Sequence, residues 1–145
     1  MIVYMDSSAL VKRYVAEAGS EEVGGLIDRS SAVGTVIVSR AEVTASLAKA
    51  VRMKLLKIDE AALALKVFVA DWKNLVRLQM TEMLVSRASS LAWEHGLRGY
   101  DSVHLAGALY WQDLLGDPVT LATYDKQLWT AAGATGLEVW PGTLE

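Results

Sequence analysis

The chain has 145 residues, 52 % of them hydrophobic, which is enough for one compact domain with a substantial core. It contains no cysteine, which excludes disulfides and thiolate zinc sites, and its net charge of −3 argues against a broadly basic nucleic-acid coat. No apolar run is long enough to cross a membrane, and the N-terminus has no pattern of a secretion signal. We therefore expect a single domain over residues 1–145 that works in the cytoplasm, away from the membrane.

Short apolar runs alternate with helical patterns in the first half of the chain. The first run, Ile2–Met5, predicts a buried strand, and helical spacing follows over 7–16 and again over 20–27. A second strand is predicted over 32–38, and a long helix begins at Ser39. The first half is therefore predicted to be strand, helices, strand, helix.

The same alternation continues to the end. Helical spacing resumes at Asp59, and the stretch 49–72 is expected either to protrude as a helical clip or to pack into the core. Later elements are predicted as a strand over 75–79, helices over 81–95 and 100–115, a strand over 119–122, a short helix from Asp125 and a strand over 137–140. Such alternation predicts an α/β fold, a parallel sheet of about five strands with helices on both faces.

Four carboxylates occur at likely helix starts, each with a serine, threonine or tyrosine within two residues: Asp6, Glu42, Asp101 and Asp125. Taken singly, each is well explained as a helix cap, and Ser39 with Glu42 fits the capping-box pattern. Helices that follow parallel strands, however, begin at one edge of the sheet, where open α/β folds bind ligands.

Acids gathered at that edge would raise one another's pKa, and a divalent cation would relieve the repulsion. All-oxygen coordination suits Mg²⁺ or Mn²⁺. We therefore treat the four acids as candidate metal ligands and catalytic residues, with phosphodiester hydrolysis as the reaction that such an ion serves.

Four motifs spread over nearly the whole chain resemble those of PIN-domain nucleases, above all VapC-type toxins of toxin–antitoxin pairs. They are 4–12 (YMDSSALVK), 39–42 (SRAE), 97–106 (LRGYDSVHLA) and 121–128 (LATYDKQL), in the order that the family has them. The resemblance implies a PIN-like fold and a Mg²⁺- or Mn²⁺-dependent endoribonuclease that slows translation. It places the family's acidic quartet on Asp6, Glu42, Asp101 and Asp125, and its small polar residue on Ser7.

The same resemblance implies two protein partners. Toxins of this kind usually form homodimers. A VapB-like antitoxin holds them inactive by laying a C-terminal segment along the active-site groove, often with an arginine presented to the acids.

Other residues allow more than one interpretation. Five basic side chains lie near the acids in sequence and are either surface charges or contacts to RNA phosphates: Lys12, Arg13, Arg40, Arg98 and Lys126. His104 lies one helical turn after Asp101 and could approach the metal, although a packed or hydrogen-bonded histidine is the commoner case. Trp72 and Trp93 suit either the core or a dimer interface.

Two other functions fit the same pattern. One is a PIN-domain nuclease of RNA maturation or decay, which the absence of a neighbouring antitoxin gene would favour. The other is a non-catalytic interaction module whose acids serve only as helix caps, and such a module would bind no Mn²⁺ and cut no RNA.

Overall fold

The computed structural model describes residues 1–145 and contains five strands and seven α-helices. The strands are β1 (Ile2–Met5), β2 (Ala32–Val36), β3 (Val76–Leu78), β4 (Val119–Ala122) and β5 (Glu138–Trp140). The helices are α1 (Ser7–Leu10), α2 (Ser20–Asp28), α3 (Ser39–Arg52), α4 (Ile58–Asp71), α5 (Glu82–His95), α6 (Gly99–Leu115) and α7 (Lys126–Ala134). No helix is both long enough and apolar enough to span a membrane.

The strands form one sheet in the order β3-β2-β1-β4-β5, and every neighbouring pair is parallel. The chain builds outward from β1 to β3 on one side and from β4 to β5 on the other, so the topology switches between β1 and β4. The carboxyl ends of strands beside such a switch form a crevice in open α/β sheets. The predicted α/β fold with a parallel sheet of about five strands is confirmed.

Side chains of β1 alternate between the two faces of the sheet, and each face has its own core. Val3 and Met5 belong to the core under α1 to α4, whereas Tyr4 belongs to the core under α5, α6 and α7. Both faces are therefore covered by helices, as expected for a parallel sheet of largely apolar strands.

The stretch between α3 and β3, for which two arrangements were open, packs into the core. Phe68 of α4 is fully buried, and Trp72 just after this helix is 8 % exposed. The two rings lie edge to face, with centroids 5.6 Å apart. The suggestion that Trp72 serves a dimer interface is wrong because its ring is used inside the chain. Trp93, by contrast, is 93 % exposed.

Helix α6 lies unusually close to the sheet at two glycines. A Cβ added at Gly34 of β2 would lie 2.7 Å from the Trp111 ring, and one at Gly107 would lie 3.1 Å from the Tyr4 hydroxyl. Only a residue without a Cβ leaves room for these two aromatic side chains. The absence of a side chain at Gly34 and Gly107 thus allows α6 to approach the sheet closely.

Two local predictions differ from the structure. The helix predicted over 7–16 ends as α1 at Leu10 and continues only as a 3₁₀ turn to Arg13. Beyond this turn the Ser20 hydroxyl donates to the Val15 carbonyl and accepts from the Glu17 N–H. The second strand ends at Val36, two residues early, since α3 begins at Ser39.

Candidate active site

The four predicted acids line one cleft of about 860 Å³ at the carboxyl edge of the sheet. Asp6 directly follows β1, Asp125 directly precedes α7, and Glu42 and Asp101 lie in the first turns of α3 and α6. Ser7 lines the same cleft. The structure therefore brings together acids from four separate parts of the chain, although they differ in exposure and in partners.

Asp6 is the most enclosed of the four, with only 3 % of its surface exposed. Its Oδ1 accepts hydrogen bonds from the Ser8 hydroxyl at 2.7 Å and from the Ala9 N–H at 3.0 Å, and its Oδ2 accepts from the Thr123 hydroxyl at 2.6 Å. Asp6 is thus the helix cap that the simpler interpretation predicted. The cap leaves part of Oδ2 free, because a carboxylate oxygen accepts two hydrogen bonds.

Burial raises the pKa of the Asp6 carboxyl above its ordinary value. The nearby His104 side chain and the hydrogen bonds from Thr123, Ser8 and Ala9 oppose that shift but do not cancel it. The folded protein therefore holds this carboxylate at an electrostatic cost, which a nearby cation would reduce.

Ser8 and Thr123 were not among the predicted site residues. In the β1–β4 register Met5 pairs with Ala122, so the next residues, Asp6 and Thr123, come side by side. Thr123 is fully buried, and its hydroxyl also accepts from the Asp125 N–H at 3.0 Å. The sequence shows that Thr123 is a polar residue directly after an apolar strand. Its contact with Asp6 could be inferred only once β4 was known to pair with β1.

Glu42 contacts a buried histidine. The His104 Nε2 lies 2.7 Å from the Glu42 Oε1, and the His104 Nδ1 lies 2.8 Å from the Tyr4 hydroxyl. The capping box predicted for Ser39 and Glu42 does not form, because α3 has no side-chain cap and the Ser39 hydroxyl bonds Thr35 at 2.6 Å instead. The Glu42 side chain therefore does not cap the helix that carries it.

Arg98 joins the remaining two acids. Its Nε donates to the Asp101 Oδ2 at 2.9 Å, and its Nη2 donates to the Asp125 Oδ2 at 2.6 Å. The Arg98 side chain is 72 % exposed, whereas those of Asp101 and Asp125 are 13 % and 22 % exposed. Asp125 additionally caps α7 by accepting from the Leu128 N–H. The guanidinium thus pairs with two carboxylates from the solvent side and offsets one of their two negative charges.

The donor set suits a hard divalent cation in kind, since all four groups are carboxylates. As the side chains stand, however, no three acidic or imidazole groups converge closely enough to hold one ion. Arg98 holds Asp101 and Asp125, and His104 holds one oxygen of Glu42. A cation would therefore need Arg98 to leave and the carboxylates to move inward.

The other basic residues predicted near the acids mostly have partners of their own. The Lys12 ammonium contacts the Glu17 carboxylate at 3.1 Å and the Tyr124 ring, and the Lys126 ammonium contacts the Trp129 ring and the Leu144 carbonyl. Arg13 and Arg40 are exposed. Contact of any of them with RNA stays a prediction.

Comparison with known proteins shows the family to which this chain belongs. The PIN domain family matches residues 3–132. Ribonuclease VapC45 of Mycobacterium tuberculosis is 37 % identical over 145 residues, which cover 99 % of this chain and 98 % of the relative.

Solved structures share the fold. A toxin–antitoxin complex from Klebsiella pneumoniae superimposes with a TM-score of 0.69 at 14 % identity, covering 99 % of both chains. Mycobacterium tuberculosis VapC20, a sarcin–ricin loop cleaving toxin, gives a TM-score of 0.65 at 14 % identity, covering 93 % of this chain and 95 % of the other. The PIN-like architecture implied by the motifs is thereby confirmed, and the chain belongs to the PIN-domain family.

Proposed function

We propose that this protein is a divalent-cation-dependent endoribonuclease, the toxin of a type II toxin–antitoxin pair, which cuts RNA and so inhibits translation and growth. The observation that carries the proposal is the single cleft lined by Asp6, Glu42, Asp101 and Asp125. The ribonuclease name of VapC45, which is similar along nearly its whole length, supports RNA as the substrate. Action on cellular RNA would take place in the cytoplasm, with residues 1–145 as one domain.

Asp6 and Asp101 are the proposed direct ligands, and Glu42 and Asp125 would complete the coordination or orient water. A bound Mg²⁺ or Mn²⁺ would polarise the scissile phosphate and stabilise the leaving oxygen. Asp6 is suited to this role because Ser8, Ala9 and Thr123 fix its orientation before any ion arrives. Ser7 lines the cleft beside it and would add a polar contact to the substrate.

Arg98 is the basic residue best placed to contact the RNA backbone. It lines the cleft and is largely exposed, so its guanidinium can turn from the carboxylates to a phosphate oxygen. Such a contact would position RNA without reading its sequence. Lys12 and Lys126 would contact RNA only after breaking the contacts described above. Arg13 and Arg40 are exposed and would contact RNA only where the bound strand passes over them.

A VapB-like antitoxin is the proposed protein partner, and a second copy of the chain is the proposed dimer partner. The toxin–antitoxin complex from Klebsiella pneumoniae, whose fold this chain shares, supports the first. On α5, Met83 and Trp93 are 83 % and 93 % exposed, which supports burial of this helix in an interface.

The test is RNA cleavage by purified protein with added Mg²⁺ or Mn²⁺, compared with two cleft variants and one control. Asp6→Asn and Asp101→Asn should fold and lose cleavage, because each removes a ligand charge. Asp113→Asn is the matched control on α6, since Asp113 is exposed and paired with Arg87 away from the cleft. Wild-type rates in both cleft variants would refute the proposal. No Mn²⁺ binding and no cleavage by the wild type would instead favour the non-catalytic module.

A further inference from the structure

A buried chain of hydrogen bonds leads from the core to the acidic cleft. Tyr4 is fully buried and His104 is 1 % exposed, while the Glu42 side chain is 22 % exposed. The Tyr4 hydroxyl meets the His104 Nδ1 at 2.8 Å, and the His104 Nε2 meets the Glu42 Oε1 at 2.7 Å. The histidine therefore joins a residue of the central strand to an acid of the cleft.

The chemistry of the partners fixes the direction of these bonds. An ionised carboxylate only accepts, so the His104 Nε2 carries the hydrogen that points at Glu42. In a neutral imidazole the Nδ1 then accepts, and the Tyr4 hydroxyl donates to it. Glu42 thus selects the tautomer with a hydrogen on Nε2, and the Tyr4 hydroxyl supplies the hydrogen bond to the other ring nitrogen.

The surrounding packing keeps the imidazole in place. Its ring lies edge to face with the Tyr4 ring at a centroid distance of 5.9 Å. Gly107, one turn after His104 on α6, leaves the space that the Tyr4 hydroxyl occupies. Neither ring can turn away without displacing α6 or β1, so the Nε2–H direction is rigid.

Glu42 itself has little else to hold it. It lies in the first turn of α3, and His104 is the one hydrogen-bond partner of its carboxylate. A free glutamate side chain rotates about several bonds, and fixing it in one conformation costs rotamer entropy. We propose that His104, anchored by Tyr4, is a positioning residue that fixes the Glu42 carboxylate at the cleft wall, with Oε2 turned to a divalent cation.

This inference rests on the proposed function, since it concerns a ligand of the proposed cation. It assigns His104 to the support of a ligand rather than to ligation, because its Nε2 is already used by Glu42. Residues that orient metal ligands in this way typically change metal affinity about 10–100-fold when replaced.

The test is calorimetric titration of Mn²⁺ alone into the whole protein. His104→Leu should weaken Mn²⁺ binding about 10–100-fold, and Tyr4→Phe should weaken it less. His104→Gln should recover most of the affinity, because its amide N–H can reach the Glu42 Oε1. His95→Leu is the matched control and should bind Mn²⁺ like the wild type, since His95 does not line the cleft.

A double-mutant cycle separates positioning from a general effect on folding. In the Glu42→Gln background, His104→Leu should cause no further loss of Mn²⁺ affinity, because its effect passes through Glu42. Additive losses, or wild-type affinity in both His104→Leu and Tyr4→Phe, would overturn the inference and leave the proposed function standing. If His104→Leu does not fold, Tyr4→Phe decides alone. Absence of Mn²⁺ binding by the wild type would overturn both.

Discussion

Trp111 of α6 packs directly on the backbone of β2, and this contact can be tested with one methyl group. In Gly34→Ala the new Cβ would lie 2.7, 2.8 and 3.2 Å from three carbon atoms of the Trp111 ring. Carbon atoms in good contact lie about 3.5–4.0 Å apart, so the closest pair overlaps by about 0.8 Å. Trp111 is 4 % exposed and packed within the core, so we expect α6 to move away from the sheet.

Overpacking of this kind costs about 1–3 kcal/mol. A chain of 145 residues unfolds with an entropy of about 0.3 kcal/mol per kelvin, from about 2.1 cal/mol/K for each residue. Gly34→Ala should therefore lower the melting temperature by about 3–10 °C. Because α6 carries Asp101, the displaced helix should also weaken Mn²⁺ binding.

The assay is thermal unfolding followed by circular dichroism, with Gly24→Ala as the matched control. A Cβ at Gly24, inside α2, meets nothing within 4 Å, so the same change there should stabilise the protein by up to about 1 kcal/mol. Trp111→Phe removes the outer part of the indole and should make the double variant less destabilised than the sum of the single ones. A melting temperature of Gly34→Ala at or above that of the wild type would refute the packing argument.

Three further changes test the cleft. Burial raises the pKa of Asp6, so the cation-free protein should gain stability as the pH falls through that raised folded-state value. Asp6→Asn is neutral at every pH, so in the presence of a chelator its melting temperature at neutral pH should exceed that of the wild type. The difference between the two melting temperatures should be smaller in acid. A lower melting temperature of Asp6→Asn at neutral pH would contradict this prediction. Arg98→Ala should bind Mn²⁺ several-fold more tightly by calorimetry, because Asp101 and Asp125 lose their guanidinium partner. The control Arg87→Ala breaks the exposed pair with Asp113 and should not change Mn²⁺ affinity. Weaker Mn²⁺ binding by Arg98→Ala would contradict competition between the guanidinium and the ion. Thr123→Val should lower the free energy of unfolding in urea by about 1–3 kcal/mol, since Asp6 loses a donor and the Asp125 N–H loses its acceptor. Thr123→Ser keeps the hydroxyl and should lower it less. Equal losses of stability in the two variants would show that the hydroxyl is not the cause.

Features that depend on local sequence and on the general rules of parallel sheets could be predicted. Asp6 follows a short apolar strand and Asp125 begins a helix just after another, so their place at the carboxyl edge follows from the α/β alternation. Asp101 follows no strand directly. Its position depends on the packing of α5 against α6, so its place at a helix start and in a family motif made it a candidate without locating it at the cleft.

Contacts between distant residues could not be predicted. The capping box of Ser39 and Glu42 is a sound local pattern, but Thr35 takes the serine hydroxyl and His104 takes the glutamate. Tyr4 and His104 are separated by 100 residues, and their hydrogen bond depends on how α6 is positioned over β1. The pairing of Arg98 with both Asp101 and Asp125 likewise depends on where α7 begins relative to α6.

The position of β4 has a consequence for the order of events during synthesis. This strand lies beside β1 at the middle of the sheet, yet its residues are translated more than a hundred positions later. Until Thr123 emerges from the ribosome, Asp6 lacks one of its three donors and the wall that Asp125 supplies is missing. A partly made chain without β4 is thus unable to assemble the cleft, so the site forms only after more than a hundred residues have been made.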